Sequence, residues 1–145
     1  MSVAPVPAGY HMVTPYLVVA DGEGLLAFLH AAFQAEERSR TVRPDGSIAN
    51  AEVCIGDSMV MVAQAREPWT PMPSGFYLYV PDTDATYAAA LAAGGVSVLE
   101  PSDQFYGDRN AGVRDPWGNH WWIATHIEDV DDAEVQRRMA ARPQP

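Results

Sequence analysis

The chain contains no lysine; all nine of its cations are arginine. Schiff-base chemistry and a lysine general base are therefore excluded. It has one cysteine, Cys54, so no internal disulfide can form, which suits a reducing cytoplasm. No apolar run approaches the ~20 residues a membrane helix needs. The opening MSVAPVPAGYHM has neither a basic flank nor an apolar centre and does not read as a secretory signal. Neither a P-loop nor a GxGxxG stretch occurs, which argues against nucleotide handling by those devices. Positive charge is scarce: nine Lys+Arg against nineteen Asp+Glu give a formal charge of −10. Gripping a nucleic-acid backbone requires a basic stripe to displace counterions, and none is visible. An acidic field favours cationic or neutral ligands instead.

The chain does have enough apolar residues for a core, 48% of 145. That length fits one domain, or two small half-domains sharing a core. Two segments resemble each other in order. The first opens Tyr16-Leu17-Val18-Val19-Ala20-Asp21 and the second Tyr77-Leu78-Tyr79-Val80-Pro81-Asp82. Both openings are strand-like, and each ends at an Asp whose carboxylate can cap a following helix. The first helix is expected over 22–33, with Leu25, Leu26, Leu29, Ala32 and Phe33 as one apolar stripe. The second is expected over 83–93, packing through Ala85, Ala88, Ala89 and Ala92 and stopped by Gly94-Gly95. Three strands follow each helix, at about 36–43, 48–55 and 58–64, then at 97–104, 110–115 and 119–125. Turn glycines recur in register, Gly46 with Gly107 and Gly56 with Gly118.

This pattern predicts an α+β fold of two βαβββ repeats. The repeats pair into a curved eight-stranded mixed sheet around a cleft, with helices outside. The expected divisions are a tail over 1–12, a first module over 13–65, a connector over 66–74, a second module over 75–126, and a C-terminal turn and short helix over 127–145.

The paired βαβββ pattern, with the stretches VTPYLVVAD, AFLHAAFQAEE, IANAEVCIGDSMVMV, DQFYGDRNAGVRDPWGNHWW and ATHIEDV, resembles the glyoxalase, bleomycin-resistance and extradiol dioxygenase superfamily, also called vicinal oxygen chelate. The GDR…VRDPWGN stretch is the most specific part of the resemblance. The resemblance implies the fold. It implies function poorly, because metal isomerases, thiol transferases, oxygenases and drug-sequestering proteins share this architecture. It also implies four positions where metal-dependent members carry His, Gln or Glu. Counted from the capping Asp and the turn glycine of each half, they hold Thr14, Val60, Gly75 and Trp122. None is a good side-chain ligand, so no metal and no cofactor are expected. His126 and Glu128 form an H-x-E at a strand exit, which reads as two polar residues on an exposed turn.

Alternation places Tyr16, Val18, Tyr77, Tyr79, His120, Trp122 and Ala124 on the cleft side. Leu17, Val19, Phe76, Leu78, Val80, Trp121 and Ile123 then lie under the helices. On the third strand of the first half, Asn50, Glu52 and Cys54 face the cleft. An offset of 62 matches Glu52 to Arg114, either as an ion pair stitching the halves or as a ligand anchor. Trp69 in the connector and Phe105-Tyr106 at the rim can close over a ligand, or simply anchor loops.

The expected ligand-binding set is Tyr16, Asn50, Glu52, Trp69, Tyr77, Tyr79, Phe105, Arg114 and Trp122. The expected function is metal-independent binding, or sequestration, of a small aromatic or cationic molecule by a cytoplasmic homodimer, with no nucleic-acid or membrane partner. The alternative is an enzyme of the same superfamily, a lyase, isomerase or dioxygenase. It would have a relocated metal site, or use Glu52 or His120 as a base.

Overall fold

The structure is a computed structural model that describes residues 2–143. Met1 of the expected tail and Gln144 and Pro145 of the expected C-terminal end lie outside the described residues. Eleven elements follow in order: β1 (Tyr16–Val19), α1 (Gly22–Phe33), β2 (Glu36–Val42), β3 (Ile48–Ile55), β4 (Ser58–Gln64), β5 (Gly75–Tyr79), α2 (Thr83–Ala92), β6 (Val96–Asp103), β7 (Asp108–Arg114), β8 (His120–His126) and α3 (Asp132–Ala140). Each βαβββ repeat folds as expected, with strand ends in the second copy shifted by one or two residues. The eight strands lie in two four-stranded mixed sheets, ordered β1-β4-β3-β2 and β5-β8-β7-β6.

Local chemistry explains the repeat. Asp21 and Asp82 sit in extended conformation and accept from Gly24 N and Ala85 N, closing the first turns of α1 and α2. Leu25, Leu26, Phe28, Leu29 and Ala32 of α1 are buried, and each fully buried leucine contributes about 2 kcal/mol of transfer free energy. The stripe expected on α2 is corrected. Ala85, Ala88 and Ala92 are exposed, and the buried face is Thr83 and Ala90, flanked by Tyr87 and Leu91. The larger side chains set the face, because a helix rich in alanine has little amphipathic bias of its own.

The repeats meet through α1 against α2, and one continuous core joins them. Trp121 of β8 is central to it. Its ring lies 5.0 Å from Phe33 of α1 and stacks at 4.4 Å on Phe76 of β5. Gly24 is required on α1, since a Cβ there would approach the Trp117 ring to 2.5 Å.

The DPWGN stretch is a folding element. Asp115, 3% exposed, accepts from the backbone N–H groups of Trp117 and Asn119, from the Asn119 amide and from the Trp121 indole. One buried carboxylate thus shapes the turn and fixes the largest core side chain.

The core residues expected under the helices are there. The opposite faces of the two sheets turn away from the helices, with Tyr16 50%, Tyr77 42% and Tyr79 65% exposed.

Candidate functional site

The parallel pairing of β5 with β8 sets Gly75 beside His120, Tyr77 beside Trp122 and Tyr79 beside Ala124. Because side chains alternate across a strand, these residues share the open face. Gly75, Phe76, Tyr77, Tyr106 and Trp122 line a hollow of about 450 Å³. A Cβ on Gly75 would meet the Trp122 ring at 3.3 Å, so the glycine leaves that indole its space. The His120 ring sits edge-on to Trp122 at 5.2 Å.

A polar cluster supports one wall. Asp108, at the start of β7, is 4% exposed. Its Oδ2 accepts from the Tyr77 and Tyr79 hydroxyls at 2.7 and 2.9 Å. Its Oδ1 faces His126 Nδ1 at 3.0 Å, and His126 Nε2 faces Asp129 at 2.7 Å. Burial pushes the Asp108 carboxyl upward, but the three donors outweigh it and hold the group below the usual carboxylate range. The bonds to Asp108 and then Asp129 raise His126 above the ordinary imidazole value. Burial raises the Tyr77 phenol, whereas Tyr79 is raised first by its bond to Asp108. Asn110, 2% exposed, donates through Nδ2 to the Tyr77 and Tyr106 oxygens at 3.1 and 2.6 Å. Its Oδ1 is buried without a partner.

The rim is held from outside. Arg138 of α3 donates to the Phe105 carbonyl at 2.9 Å and pairs with Glu128, and the Arg142 guanidinium lies 4.5 Å over the Phe105 ring. Phe105 therefore anchors the loop, while its neighbour Tyr106 faces the hollow.

The first sheet offers a different face. Glu52 accepts from the Ser39 and Tyr10 hydroxyls, both at 2.6 Å, so part of the expected tail is drawn onto β3. These bonds lower the Glu52 pKa, while burial and Glu52 push Tyr10 up to about 12. The expected match of Glu52 with Arg114 is corrected. Tyr16 pairs with Met61 as Tyr77 pairs with Trp122, and Glu52 opposes Met61 as Gly112 opposes Trp122. Gly112, two residues before Arg114, is thus the mate of Glu52, and Asn110 is the mate of Asn50. Aligning the turn glycines misleads because the turn joining β7 to β8 is longer than Gly56-Asp57. Arg114 is exposed, pairs across the strands with His120, and makes no ion pair among the described residues.

One face thus gathers Tyr77, Tyr79, Trp122 and His120. Tyr16, Asn50 and Glu52 lie on the other sheet, and Trp69, 65% exposed, bridges to Arg66 in the connector. Asp108, Asn110, Tyr106 and His126 carry the polar cluster without being in the expected set. The signal for two of them was present: Asp108 and Asn110 alternate with the buried, apolar Ala111 and Val113 of β7.

A family model described as the Glyoxalase/Bleomycin resistance protein/Dioxygenase superfamily matches residues 9–123. The chain belongs to this superfamily. An uncharacterized protein of Mycobacterium bovis is 33% identical over 141 residues, covering 90% of this chain and 93% of that protein. An uncharacterized protein of Mycobacterium tuberculosis is also 33% identical over 141 residues, covering 90% of this chain and 83% of its own. Among solved structures, TioX from Micromonospora sp. ML1 superposes with TM-score 0.69 at 25% identity, over 81% of this chain and 99% of that one. A glyoxalase/bleomycin resistance protein/dioxygenase from Nocardioides gives TM-score 0.63 at 16% identity, over 90% of each chain.

Membership in the superfamily raises the question whether the four positions its metal-dependent members use would suit a cation here. The pairing of β1 with β4 replaces Val60, which is buried in the core, with Met61 as the mate of Trp122. Thr14, Met61, Gly75 and Trp122 supply one hydroxyl and one thioether, which does not fit the His, Gln and Glu chemistry of a catalytic cation. Among the described residues, no group of three or more His, Cys, Asp or Glu is placed to hold a metal ion.

Proposed function

We propose that this chain binds a small planar aromatic molecule in the hollow over β5 and β8, and holds it without metal and without reaction. The observation that carries this reading is the lining: the Tyr77 and Trp122 rings and the Tyr106 phenol around a space left by Gly75. Stacking on Trp122 and Tyr77 supplies affinity, and the acidic surface tolerates neutral or cationic ligands. Glu52 is a poor general base in this reading, since two hydroxyls already stabilise its ionised form.

The active form is a homodimer. The open faces and β6 expose Tyr16, Tyr77, Tyr79, Val96, Val98 and Leu99, apolar surface that a second copy would cover. The free thiol of Cys54 suits the cytoplasm, and no helix is long and apolar enough to cross a membrane.

The test is titration of tryptophan fluorescence with a panel of cationic and aromatic natural products, alongside sedimentation equilibrium. Saturable quenching by some members and a mass of twice the 15.8 kDa chain are expected. No response from any, with no thermal shift, would count against binding.

A further inference from the structure

We propose that α3 and the segment leading into it form a strap over the rim of the hollow, with the hydrogen bond between His126 and Asp129 as its proton-operated clasp. With the proton in place the rim is held and a ligand leaves slowly. Without it the strap opens more often. This is regulation of the hollow described above, so its effect on a ligand rests on the binding reading; the opening of the strap does not.

The strap has little apolar hold. α3 is nine residues long and none of them is buried. Isolated helices shorter than ~12–15 residues are marginal in water, so its order depends on what ties it down. Those ties converge on the loop before β7. Arg138 donates to the Phe105 carbonyl and pairs with Glu128, each at 2.9 Å, and the Arg142 guanidinium covers the Phe105 ring. Ahead of the helix, Ile127 N and Glu128 N both donate to the Gly107 carbonyl, at 2.9 and 3.0 Å. Between Phe105 and Gly107 stands Tyr106, which lines the hollow. Strap and rim are thus one unit held mainly by polar contacts at the surface, and such units open at low free-energy cost.

Both ring nitrogens of His126 face carboxylates. Nδ1 lies 3.0 Å from Asp108 Oδ1, and Nε2 lies 2.7 Å from Asp129 Oδ1. An ionised carboxylate only accepts, and a neutral imidazole has a single N–H. Both bonds therefore exist together only in the imidazolium. The two carboxylates are not equivalent when the proton leaves. Asp108 is 4% exposed and would lose a donor where water does not replace it, whereas Asp129 is fully exposed and takes water instead. The neutral ring keeps its hydrogen on Asp108 and turns a bare lone pair to Asp129, so the outer bond is lost. Tyr77 and Tyr79 of β5 share Asp108 with His126 and keep their hydrogens, since both phenols are held above their ordinary value. Glu128, the neighbouring charge on the segment, is taken by Arg138. Among the described residues Asp108 and Asp129 form ion pairs with His126 alone, so the charge of that ring decides the outer contact.

Hydrogen exchange of the full chain, followed by mass spectrometry and corrected for the chemical exchange rate, tests the strap. An exposed pair of this kind is worth a factor of up to about five in such an opening. Protection of residues 104–108 and 126–142 is expected to fall together, roughly two- to fivefold, between about pH 6 and pH 9. It should fall again when salt is raised to ~0.5 M, while α1 does not respond. Asp129→Asn removes the pH step, because its amide accepts from the imidazolium or donates to the neutral ring. Arg138→Ala opens both segments at every pH. Stopped-flow release of xanthone, a flat tricyclic ketone, should quicken by a similar factor over the same pH range, and not in Asp129→Asn. Protection that ignores pH and salt, a pH step that survives Asp129→Asn, or xanthone release at one rate whether the strap is open or shut overturns the inference while the binding reading stands. If xanthone does not bind, the binding reading fails, and the exchange data alone decide for or against the strap.

Discussion

Replacing Asp115 by alanine tests whether the DPWGN turn holds the fold together rather than serving the site. Oδ1 accepts the backbone N–H groups of Trp117 and Asn119 at 2.9 and 3.0 Å. Oδ2 accepts the Asn119 amide and the Trp121 indole, both at 2.9 Å. A hydrogen bond to a charged group is worth about 1.5–3 kcal/mol, which sets the upper scale. The four do not add, because they share one carboxylate. The Trp117 N–H lies nearer the surface and reaches water once the carboxylate is gone. Asn119 and Trp121, 0% and 1% exposed, do not. Leaving these buried neutral donors unpaired costs about 1–3 kcal/mol each, on the order of 3–5 kcal/mol together. A domain of this kind holds about 5–15 kcal/mol in total. With each kcal/mol worth about 2–4 °C, Asp115→Ala should melt roughly 6–20 °C below wild type in scanning calorimetry. The control is Asp84→Ala, which removes an exposed pair with Arg109 and should cost no more than about 1 kcal/mol. If both variants melt within about 3 °C of wild type, the turn is not the folding element described here.

Other consequences can be checked separately. His126 should titrate above its ordinary value of 6.5 when followed by NMR. Its contribution to stability is full below that value and is lost as pH rises through the folded midpoint. Asp108→Asn should lower the midpoint, and a wild-type midpoint at or below 6.5 would contradict the Asp108–His126–Asp129 chain. Gly107 has φ +101°, and a Cβ there would come within 2.2 Å of the Glu128 carbonyl. Gly107→Ala should therefore cost at least the ~1–3 kcal/mol of left-handed strain and displace the segment after β8. Unchanged urea unfolding would show that the rim loop tolerates what the geometry forbids.

The fold was legible where punctuation is unambiguous. Two capping aspartates, the leucine stripe of α1 and glycines at matching turns each have one structural use. The face of α2 was not legible, because five alanines carry no directional signal against one tyrosine and one leucine. The Glu52–Arg114 match failed for a geometric reason: pairing across a hairpin depends on turn length, and only the ladder shows that one turn is longer. The aromatic half of the site followed from alternation on β5 and β8. Its polar half did not, because Asp108 and His126 are distant in the chain and meet only through the pairing of β7 with β8.

If the hollow holds a flat molecule against Trp122, binding should need that indole and no cation. The most direct test is xanthone titration by tryptophan fluorescence before and after exhaustive dialysis against chelator, repeated with Trp122→Phe. Saturable quenching that is indifferent to the chelator and largely lost in Trp122→Phe is predicted. Quenching that disappears on dialysis and returns with added zinc, nickel, manganese or iron, or that persists undiminished without Trp122, would contradict the account.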